Sequence, residues 1–586
     1  MIKTIRLSFR FAIALFLLSL ASSLFAQNGE PAAAASPSSA SDAGLLEATV
    51  PQLEQCYEQH RCTVTEVVNW YVARIRRYNG IYGAIENLDV KGALAEAARK
   101  DAEAQGSGEQ AKRGPLWGVP IVIKENTSVQ GLVTTDGWSG FTLPGHELVA
   151  PRDAPIVARL RAAGAIVLGK TNMPDFAASD TNRSSSYGRT GNAYDVRFSP
   201  GGSSGGTVTA ITSNLAMLGT GTDTGNSIRM PAATSSVVGV FPTRGLVSIA
   251  GIAPLDWLLD NTGPIARDVT SAAIALSVMA GEDPLDPATQ GSAKLAQPGP
   301  YTQYLRKDAL SGKRFGVPAF ILQGAGVPFH GVSPRENPHQ AASDRNDARM
   351  PLQPATREAF LKSIEALRAA GATVIFDDAI LPDSFAEAAS HIFTLPYIRE
   401  GTENWLAKFG PAQYHSAEEY LKAVGSPLPP VILGGGKPEP GHSPVAQVHF
   451  EQNPQAEVDV LAPRRHALDL YNQTLDRFHL DGYVYPAIQM PPVDETMPQE
   501  GKVSDGPHSD TSWVNMLGVP AVVVPAGFYE SGLPFGLEIS TRRWKDGDLL
   551  GWAYAFEQAT HLRKPPVLVE KGLLSLHRES TPSAAH

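Results

Sequence analysis

The chain has 586 residues, of which 43% are hydrophobic and 18% are charged, an ordinary balance for a globular protein with a large core. Its formal net charge is −10, and an acidic chain lacks the basic surface that binds phosphate backbones. We therefore expect no nucleic acid partner, and either one large α/β domain or two to three smaller ones.

The first 26 residues have the pattern of a secretory signal peptide. Lys3, Arg6 and Arg10 form a basic start, and residues 11–25 form an apolar run. This run is shorter than the roughly 20 residues that cross a bilayer as a helix. We expect cleavage near Ala26, a periplasmic or secreted location, and no membrane segment in the mature protein. An uncleaved membrane anchor is the alternative.

Composition divides the rest of the chain into one domain and its flanks. Residues 27–45 form a low-complexity linker rich in Ala, Ser and Pro. We expect a single domain over residues 46–578, followed by a loose tail over residues 579–586. Two stretches rich in Pro and Gly, residues 319–353 and 426–444, are predicted to be long loop insertions.

Helix and strand patterns alternate along the chain, which predicts an α/β core with a large mixed β-sheet covered by helices on both faces. Thr63 and Glu66 form a capping box that predicts the start of the first helix. The predicted helices cover residues 63–78, 89–104, 154–163, 204–214 and 356–369. The predicted strands cover residues 119–123, 165–168, 216–218, 237–240, 314–317, 482–490 and 518–525.

The two cysteines, Cys56 and Cys62, leave two possibilities open. Export permits a disulfide bond, but a spacing of six does not place both residues on one face of a helix. They can pair across a break near His60 and Arg61, or remain as separate thiols.

The most informative stretch is residues 199–232, which contain S-P-G-G-S-S-G-G and G-T-D-T-G-N-S-I-R-M-P-A. Ser203 lies in the first segment and Ser227 in the second. Lys124 ends a predicted strand upstream, in G-P-L-W-G-V-P-I-V-I-K-E-N. Glycine clusters allow backbone N–H groups to approach a ligand closely. We interpret the two serines and the lysine as one catalytic unit.

Other chemistries fit this stretch less well. A phosphate loop would end in G-K-[ST], which is absent. G-G-S-S-G also matches the G-x-S-x-G elbow of α/β-hydrolases, but that elbow follows a strand, and Pro200 interrupts the residues before Ser203. The chain has neither H-E-x-x-H nor a cysteine pair at zinc-ligand spacing, and His442 and His449 lie in a Gly/Pro-rich stretch. We expect no metal.

Four blocks closely resemble the amidase signature family of serine hydrolases. They are G-P-L-W-G-V-P-I-V-I-K-E-N, A-P-I-V-A-R-L-R-A-A-G-A-I-V-L-G-K-T-N-M, and the two glycine-rich segments given above, in family order. The resemblance is strongest over residues 113–270 and covers roughly residues 46–565. It implies the amidase signature fold and hydrolysis of an amide bond with no metal or organic cofactor.

The resemblance also implies a Ser-cisSer-Lys catalytic unit. Ser227 is the nucleophile, Ser203 is a bridging serine with a cis peptide bond to Gly202, and Lys124 is the base. A lysine accepts a proton only when it is neutral, so its pKa must fall by about three units from its ordinary value of about 10.4. We expect burial at the end of the strand to lower the pKa of Lys124 in this way.

The same match assigns supporting roles around this unit. The oxyanion hole is expected from the backbone N–H groups of Thr224, Gly225, Asn226 and Ser227. Ser204 is expected to form a hydrogen bond within the catalytic unit. Asp223 and Arg229 are expected to support the nucleophile loop, and a purely structural salt bridge is the alternative for both. The acyl side of the substrate pocket is expected to include Ala177 and Ser179.

Two residues depart from the family's usual pattern. Asn226 stands where the family usually has glycine, and asparagine tolerates a positive φ better than most residues. Glu125 replaces the commoner aspartate after the lysine, and we expect it to change the support of Lys124 modestly. Neither departure removes a catalytic atom.

The sequence thus predicts an exported amidase whose partner is a small-molecule amide. Alternatives are a carbamate or ester hydrolase with the same catalytic unit, an inactive binding protein, and the glutaminase subunit of a tRNA-dependent amidotransferase. That subunit typically has glutamine in the place of Met230, and its tRNA is cytosolic. Trp138, Phe176 and the 319–353 loop either shape an apolar pocket or belong to the core, and we favour the core for Trp257. Aryl and peptide amides are ranked above fatty amides, and no pattern indicates the oligomeric state.

Overall fold

A mixed β-sheet of eleven strands is the centre of the computed structural model, which describes residues 44–106, 113–322, 352–435, 445–451, 453–496 and 507–566. Its strands are β1 Ile85–Leu88, β2 Pro120–Lys124, β3 Ile166–Thr171, β6 Leu218–Asp223, β7 Val238–Phe241, β8 Asn261–Ala266, β9 Arg314–Val317, β10 Thr373–Phe376, β11 Gly482–Pro486, β12 Ala521–Phe528 and β13 Pro534–Ser540. A separate ribbon pairs β4 Arg183–Ser184 with β5 Gly188–Arg189.

The strand order is β1-β3-β2-β6-β8-β7-β12-β13-β11-β9-β10. Parallel pairs join β3, β2 and β6 near one edge and β11, β9 and β10 at the other, while β6 to β11 pair antiparallel between them. Every residue of β2, β3, β6, β7 and β8 is buried, so both faces of the sheet are covered in this region. The predicted α/β fold with a mixed sheet is confirmed.

Helices supply this cover. The α-helices are Val50–Glu58, Val64–Tyr82, Val90–Gly106, Pro155–Ala162, Gly205–Thr212, Arg229–Thr234, Val269–Met279, Ser292–Leu295, Pro354–Ala369, Asp383–Ser390, Ile398–Phe409, Ala417–Val424, Ala462–Phe478, Trp513–Leu517 and Asp546–Thr560. The predicted capping box is present: Glu66 N–H donates to Thr63 Oγ1 at 3.2 Å, and Thr63 N–H donates to Glu66 Oε2 at 2.8 Å. Within the described ranges, no helix combines the length and the apolar character that a membrane span requires.

Strands β1, β10 and β13 were not predicted, and two further strands differ from the sequence prediction for one physical reason. The strand predicted at residues 216–218 is instead β6, Leu218–Asp223, and β8 was not predicted. Glycines in these strands gave a weak strand signal. A Cβ at Gly219 would meet Thr207 Cγ2 at 2.5 Å, and one at Gly263 would meet the Val240 carbonyl oxygen at 1.9 Å. These glycines therefore allow close packing of a helix and of a neighbouring strand rather than forming loops.

The described parts of the two predicted loop insertions contain buried residues. Ala319–Leu322 forms a 3₁₀ turn whose side chains belong to the core, and the next described helix begins at Pro354. Leu428 and Ile432 are likewise buried. Both predicted insertions therefore include residues that pack in the core, and their bounds stay a prediction. The remaining parts, residues 323–351 and 436–444, lie outside the described residues, as do the predicted signal peptide, most of the linker and the tail.

Cys56 and Cys62 form a disulfide bond, with their Cα atoms 5.7 Å apart. The helix Val50–Glu58 ends between them, and His60 takes a positive φ of 52° that turns the chain back. Of the two possibilities that the sequence left open, the structure therefore has the pairing across a break.

Candidate active site

Lys124 is fully buried at the end of β2, at the centre of the candidate site. Its Nζ donates to Ser203 Oγ at 2.6 Å, and also to the hydroxyl and carbonyl oxygens of Thr222 at 2.8 and 3.3 Å. Burial away from water lowers the pKa of Lys124 to about 7, although Asp223, Asp136 and Asp260 act in the opposite direction. A large fraction of Lys124 is therefore neutral near neutral pH.

Ser203 is buried and follows a cis peptide bond from Gly202. The residue before Ser203 can only be glycine, because a Cβ there would meet the carbonyl oxygens of Thr181 and Ser179 at 2.5 and 2.7 Å. The segment 179–181 therefore presses directly against the backbone that presents Ser203.

Gly202→Ala is expected to lower the free energy of unfolding by about 2–3 kcal/mol, because a methyl group is forced against backbone carbonyls that cannot rotate away. Gly80→Ala is the matched control, since that helical glycine has nothing within 4 Å of an added Cβ. We expect it to raise stability by about 0.5–1 kcal/mol. Urea unfolding measures both, and equal stability of the two variants would contradict the packing at Gly202.

Ser227 lies in the turn that follows β6 and is 6% exposed. Its carbonyl oxygen accepts the N–H of Ser204 at 3.1 Å, which places the two serine segments side by side. Within the described residues, the hydroxyls of Ser203 and Ser227 form no hydrogen bond with each other. Such contacts are often long before substrate binds, so the arrangement still allows a proton relay.

The turn at residues 224–227 presents backbone donors. The N–H groups of Thr224, Gly225, Asn226 and Ser227 donate no hydrogen bond to any described residue, whereas the next N–H, that of Ile228, donates to Asp223 Oδ2 at 2.9 Å. The expected oxyanion donors are therefore available to a ligand at this turn.

Asp223 and Arg229 form a buried ion pair beneath this turn. Arg229 Nε lies 3.1 Å from Asp223 Oδ2, and its second terminal nitrogen donates to the Gly225 carbonyl oxygen at 2.7 Å. Ser204 Oγ donates to the Thr222 carbonyl oxygen at 3.2 Å. The expected supporting residues thus fix the backbone on both sides of Ser227.

Distant parts of the chain complete the surroundings of Arg229. The guanidinium donates to Glu538 Oε1 at 2.8 Å, to Thr511 Oγ1 at 2.7 Å and to Asn515 Oδ1 at 2.6 Å. Tyr485 OH donates to the same Glu538 oxygen at 3.0 Å. Burial raises the pKa of Glu538 to about 7 despite the attraction of Arg229. Sequence reasoning missed these partners, which lie more than 250 residues away along the chain.

Asp260 is another residue that the sequence did not single out. Its Oδ1 accepts the hydroxyl of Thr224 at 2.5 Å, and its carboxylate also accepts the N–H groups of Leu255 and Asp256. Because Thr224 begins the turn with the free N–H groups, Asp260 fixes the position of that turn. No motif in the sequence linked the two residues.

Ala177 and Ser179 lie on the segment that packs against Gly202. Ser179 Oγ lies 3.0 Å from Thr181 Oγ1, so this hydroxyl is turned toward its own loop. Ala177 is buried with a positive φ of 59°. The structure therefore brings Ser179 close to the backbone before Ser203, and Ala177 lies two residues before Ser179 along the chain.

The aromatic residues named from the sequence lie in packed clusters. Phe176 is buried, and its ring centroid lies 5.4 Å from that of Trp138. Trp257 donates its Nε1–H to the Tyr397 carbonyl oxygen at 2.9 Å and packs against Gly401. Its contacts are those of a core residue.

A family model described as Amidase matches residues 66–327 and 329–550 of the chain. The chain belongs to the amidase signature family. This confirms the resemblance seen in the sequence and identifies an enzyme family that acts on amide bonds.

Individual relatives of this amidase family member match over nearly their whole length. A glutamyl-tRNA(Gln) amidotransferase subunit of Symbiobacterium thermophilum is 30% identical, covering 89% of this chain and 99% of the relative. The solved peptide amidase of Stenotrophomonas maltophilia is 28% identical with a TM-score of 0.69, covering 89% of this chain and 98% of that one. A bacterial aryl acylamidase is 23% identical with a TM-score of 0.66, covering 88% and 96%, and supports the fold alone.

The two departures from the amidase pattern have clear structural outcomes. Asn226 does not take a positive φ, so the tolerance of asparagine for that conformation is not needed here. Glu125 does not bond to Lys124 but pairs with a second buried lysine, Lys170, at 3.2 Å. A modest effect of Glu125 on the support of Lys124 stays a prediction.

Side chains that commonly bind metals are dispersed in the part of the chain that the structure describes. The described residues contain no group of three or more His, Cys, Asp or Glu side chains placed to hold a metal ion. The groups that Lys124 Nζ contacts are the hydroxyls of Ser203 and Thr222 and the Thr222 carbonyl oxygen.

Proposed function

We propose that the protein hydrolyses a C–N amide bond through an acyl-enzyme on Ser227. The observation that supports this most strongly is the contact of 2.6 Å between Lys124 Nζ and Ser203 Oγ. Nearby, the turn at residues 224–227 has four N–H groups that donate to no described residue. A buried lysine with a pKa of about 7 is suited to accept a proton from a serine relay.

The reaction follows from this arrangement in two halves. Neutral Lys124 accepts the proton of Ser203, and Ser203 in turn accepts the proton of Ser227. At the same time the Ser227 oxygen attacks the amide carbon. The N–H groups of the turn stabilise the resulting oxyanion. Ser203 then delivers a proton to the leaving nitrogen, the C–N bond breaks and an amine departs. Water attacks the ester in the second half, with protons moving along the same path, and releases the acid and Ser227.

The amidotransferase function is the second candidate, because subunits of glutamyl-tRNA(Gln) amidotransferases are 30% identical to this chain. The glutaminase half of that reaction would use the same three side chains. Met230, where such subunits typically have glutamine, and the predicted signal peptide favour a separate hydrolase. Carbamates and esters are further substrates for the same chemistry.

A substrate panel with trapping of the intermediate tests the proposal. An anilide, a peptide amide, a fatty amide, a carbamate and glutamine are each incubated with the protein. In one set of reactions hydroxylamine captures the acyl group as a hydroxamate. In a second set, without hydroxylamine, rapid acid quenching is followed by mass spectrometry, which locates any acyl adduct on the protein. We expect hydrolysis of at least one amide and an adduct on the peptide that contains Ser227. An adduct elsewhere would overturn the mechanism, and glutamine as the sole substrate would favour the amidotransferase function.

The similarity of this chain to a solved peptide amidase helps to rank the substrates of the panel. The solved peptide amidase is 28% identical to this chain and shares its fold over most of both chains. This relation supports peptide amides as substrates, and we rank peptide and aryl amides above fatty amides.

The pH profile of kcat/KM is expected to rise with pH through a midpoint near 7 for an uncharged amide. Only neutral Lys124 accepts the serine proton, and its pKa of about 7 means that acid protonates it and removes the base. Activity should fall about tenfold per pH unit well below the midpoint. Tryptophan fluorescence over the same range is the control for folding. A flat profile from pH 5 to 9 would contradict Lys124 as the base.

Export to the periplasm or the exterior is part of the proposal and rests on the sequence of residues 1–26. Cell fractionation of the expressed full chain, with N-terminal sequencing, tests it. Mature protein beginning after Ala26 in the exported fraction is expected, and an intact start in the cytosolic fraction would contradict it.

A further inference from the structure

Asp136 is a buried carboxyl beside the candidate active site, and no residue that the structure describes is its partner. It is 2% exposed, and its Oδ1 accepts no hydrogen bond. Within the described part of the chain, neither of its carboxylate oxygens accepts a donor. A buried carboxyl without donors is costly, so its presence calls for a partner that the folded chain does not itself supply.

Two elements of the site place Asp136 near the reacting groups. The preceding residue, Thr135, donates its N–H to Glu125, which follows Lys124 directly in the chain. The Asp136 carbonyl oxygen accepts the N–H of Phe176 at 2.8 Å, on the segment that runs on to Ala177. Asp136 therefore lies between the base and the segment that the family match assigns to the acyl side of the pocket.

The two cations within electrostatic reach of Asp136 are already engaged. Lys124 Nζ donates to Ser203 and Thr222. Lys170 Nζ donates to the Val133 carbonyl oxygen and to Thr134 Oγ1, and it pairs with Glu125. Neither lysine forms a hydrogen bond or an ion pair with Asp136 in the described structure.

The other carboxyls that influence Asp136 are satisfied. Asp260 accepts Thr224 and two backbone N–H groups, and Asp175 accepts the N–H of Ser185 at 2.7 Å. Burial raises the pKa of Asp136 well above its ordinary range, with the lysines opposing and the two aspartates assisting. A bound cation would lower the pKa of Asp136 and favour its carboxylate form.

We propose that Asp136 is the anchor for a protonated amine on the acyl part of the substrate, adjacent to the scissile carbonyl. The preferred substrate class is thus an amide of an α-amino acid with a free ammonium group. The anchor role of Asp136 rests on the proposed amidase function and adds a substrate preference to it. The ammonium group donates to Oδ2 of Asp136, because Oδ1 has almost no accessible surface in the described structure.

Binding to Ser227→Ala protein tests the anchor without requiring turnover. Phenylalaninamide carries the ammonium group, and 3-phenylpropanamide is the same molecule without it. At pH 7 the α-amino group is mostly protonated, because its ordinary pKa is about 7.7–8.0. We expect calorimetry to show phenylalaninamide binding about 30-fold more tightly, equal to about 2 kcal/mol at 1.4 kcal/mol per tenfold.

Asp136→Asn, added to Ser227→Ala, is expected to remove most of that preference. Asparagine keeps the shape of aspartate and accepts the positive φ of 50° found at this position. Asp175→Asn is the matched control, since it removes a nearby charge but keeps an acceptor for Ser185. We expect it to retain the preference. Equal loss in both variants would show a general effect of charge and overturn the anchor.

Turnover by protein with Ser227 intact separates the two proposals. Equal affinity for both amides, with hydrolysis intact, would overturn the anchor and leave the amidase function standing. A retained binding preference without hydrolysis of any amide would overturn the amidase function instead. If Asp136→Asn lowers kcat/KM equally for both amides and shifts the pH midpoint of the neutral one, Asp136 acts on Lys124, which also overturns the anchor.

Discussion

Replacing Ser227 by alanine is expected to lower kcat/KM for the best amide of the panel by at least about 10⁴-fold. The substitution removes the attacking oxygen while the neighbouring backbone remains held by Ser204 and by the Asp223–Arg229 pair. The loss should therefore appear in kcat, with the fold intact. Initial rates measured beside circular dichroism spectra check both parts of this expectation.

Two further variants serve as comparisons for the Ser227→Ala prediction. Ser390→Ala, at an exposed helix end, should leave kcat/KM unchanged within about twofold. Lys124→Met should lose activity to a similar extent as Ser227→Ala, because residues of one catalytic unit act together. Retained turnover in Ser227→Ala with loss in Lys124→Met would assign the nucleophile to another residue.

Replacing Arg229 by methionine is expected to cost about 3–5 kcal/mol of unfolding free energy. The arginine is fully buried between Asp223 and Glu538, and methionine leaves both carboxyls without their counter-ion. The loss of unfolding free energy should exceed that for any exposed ion pair, because the two buried carboxyls cannot be hydrated when their counter-ion is removed. Urea denaturation followed by tryptophan fluorescence measures the difference.

Arg197→Met is the matched control for this prediction. Arg197 also pairs with an aspartate, Asp195, but its side chain is 61% exposed. An exposed pair contributes about 0–1 kcal/mol, so the control should unfold nearly as the parent protein does. A cost below about 1 kcal/mol for Arg229→Met would show that the buried network has little effect on stability.

The three catalytic residues are the part of the site that could be predicted from the sequence. Lys124, Ser203 and Ser227 stand in short motifs whose residue types and order carry the resemblance, and the structure brings the first two into contact. The supporting role of Arg229 was also expected. Glu538 and Asn515 could not be found in this way, because nothing in a local motif indicates which distant residue will face it after folding.

Local sequence patterns also predicted only some of the helices and strands of the fold. Periodic apolar residues predicted the helix Val64–Tyr82 and the strand Arg314–Val317. The same approach failed for β6 and β8, where Gly219 and Gly263 looked like loop residues. Their neighbours in space, a threonine side chain and a backbone carbonyl, explain why glycine lies in a strand. That information is absent from a local window.

The sequence by itself thus determined the family, the alternation of helices and strands, and the three side chains assigned to catalysis. These depend on residue types at fixed spacing, which a chain carries before it folds. Only the tertiary structure decided that Glu125 pairs with Lys170, that Asp260 holds the turn through Thr224, and that Asp136 is left without a partner among the described residues. Each of these depends on which groups meet once water is excluded, because burial determines which charges and hydrogen bonds must be paired.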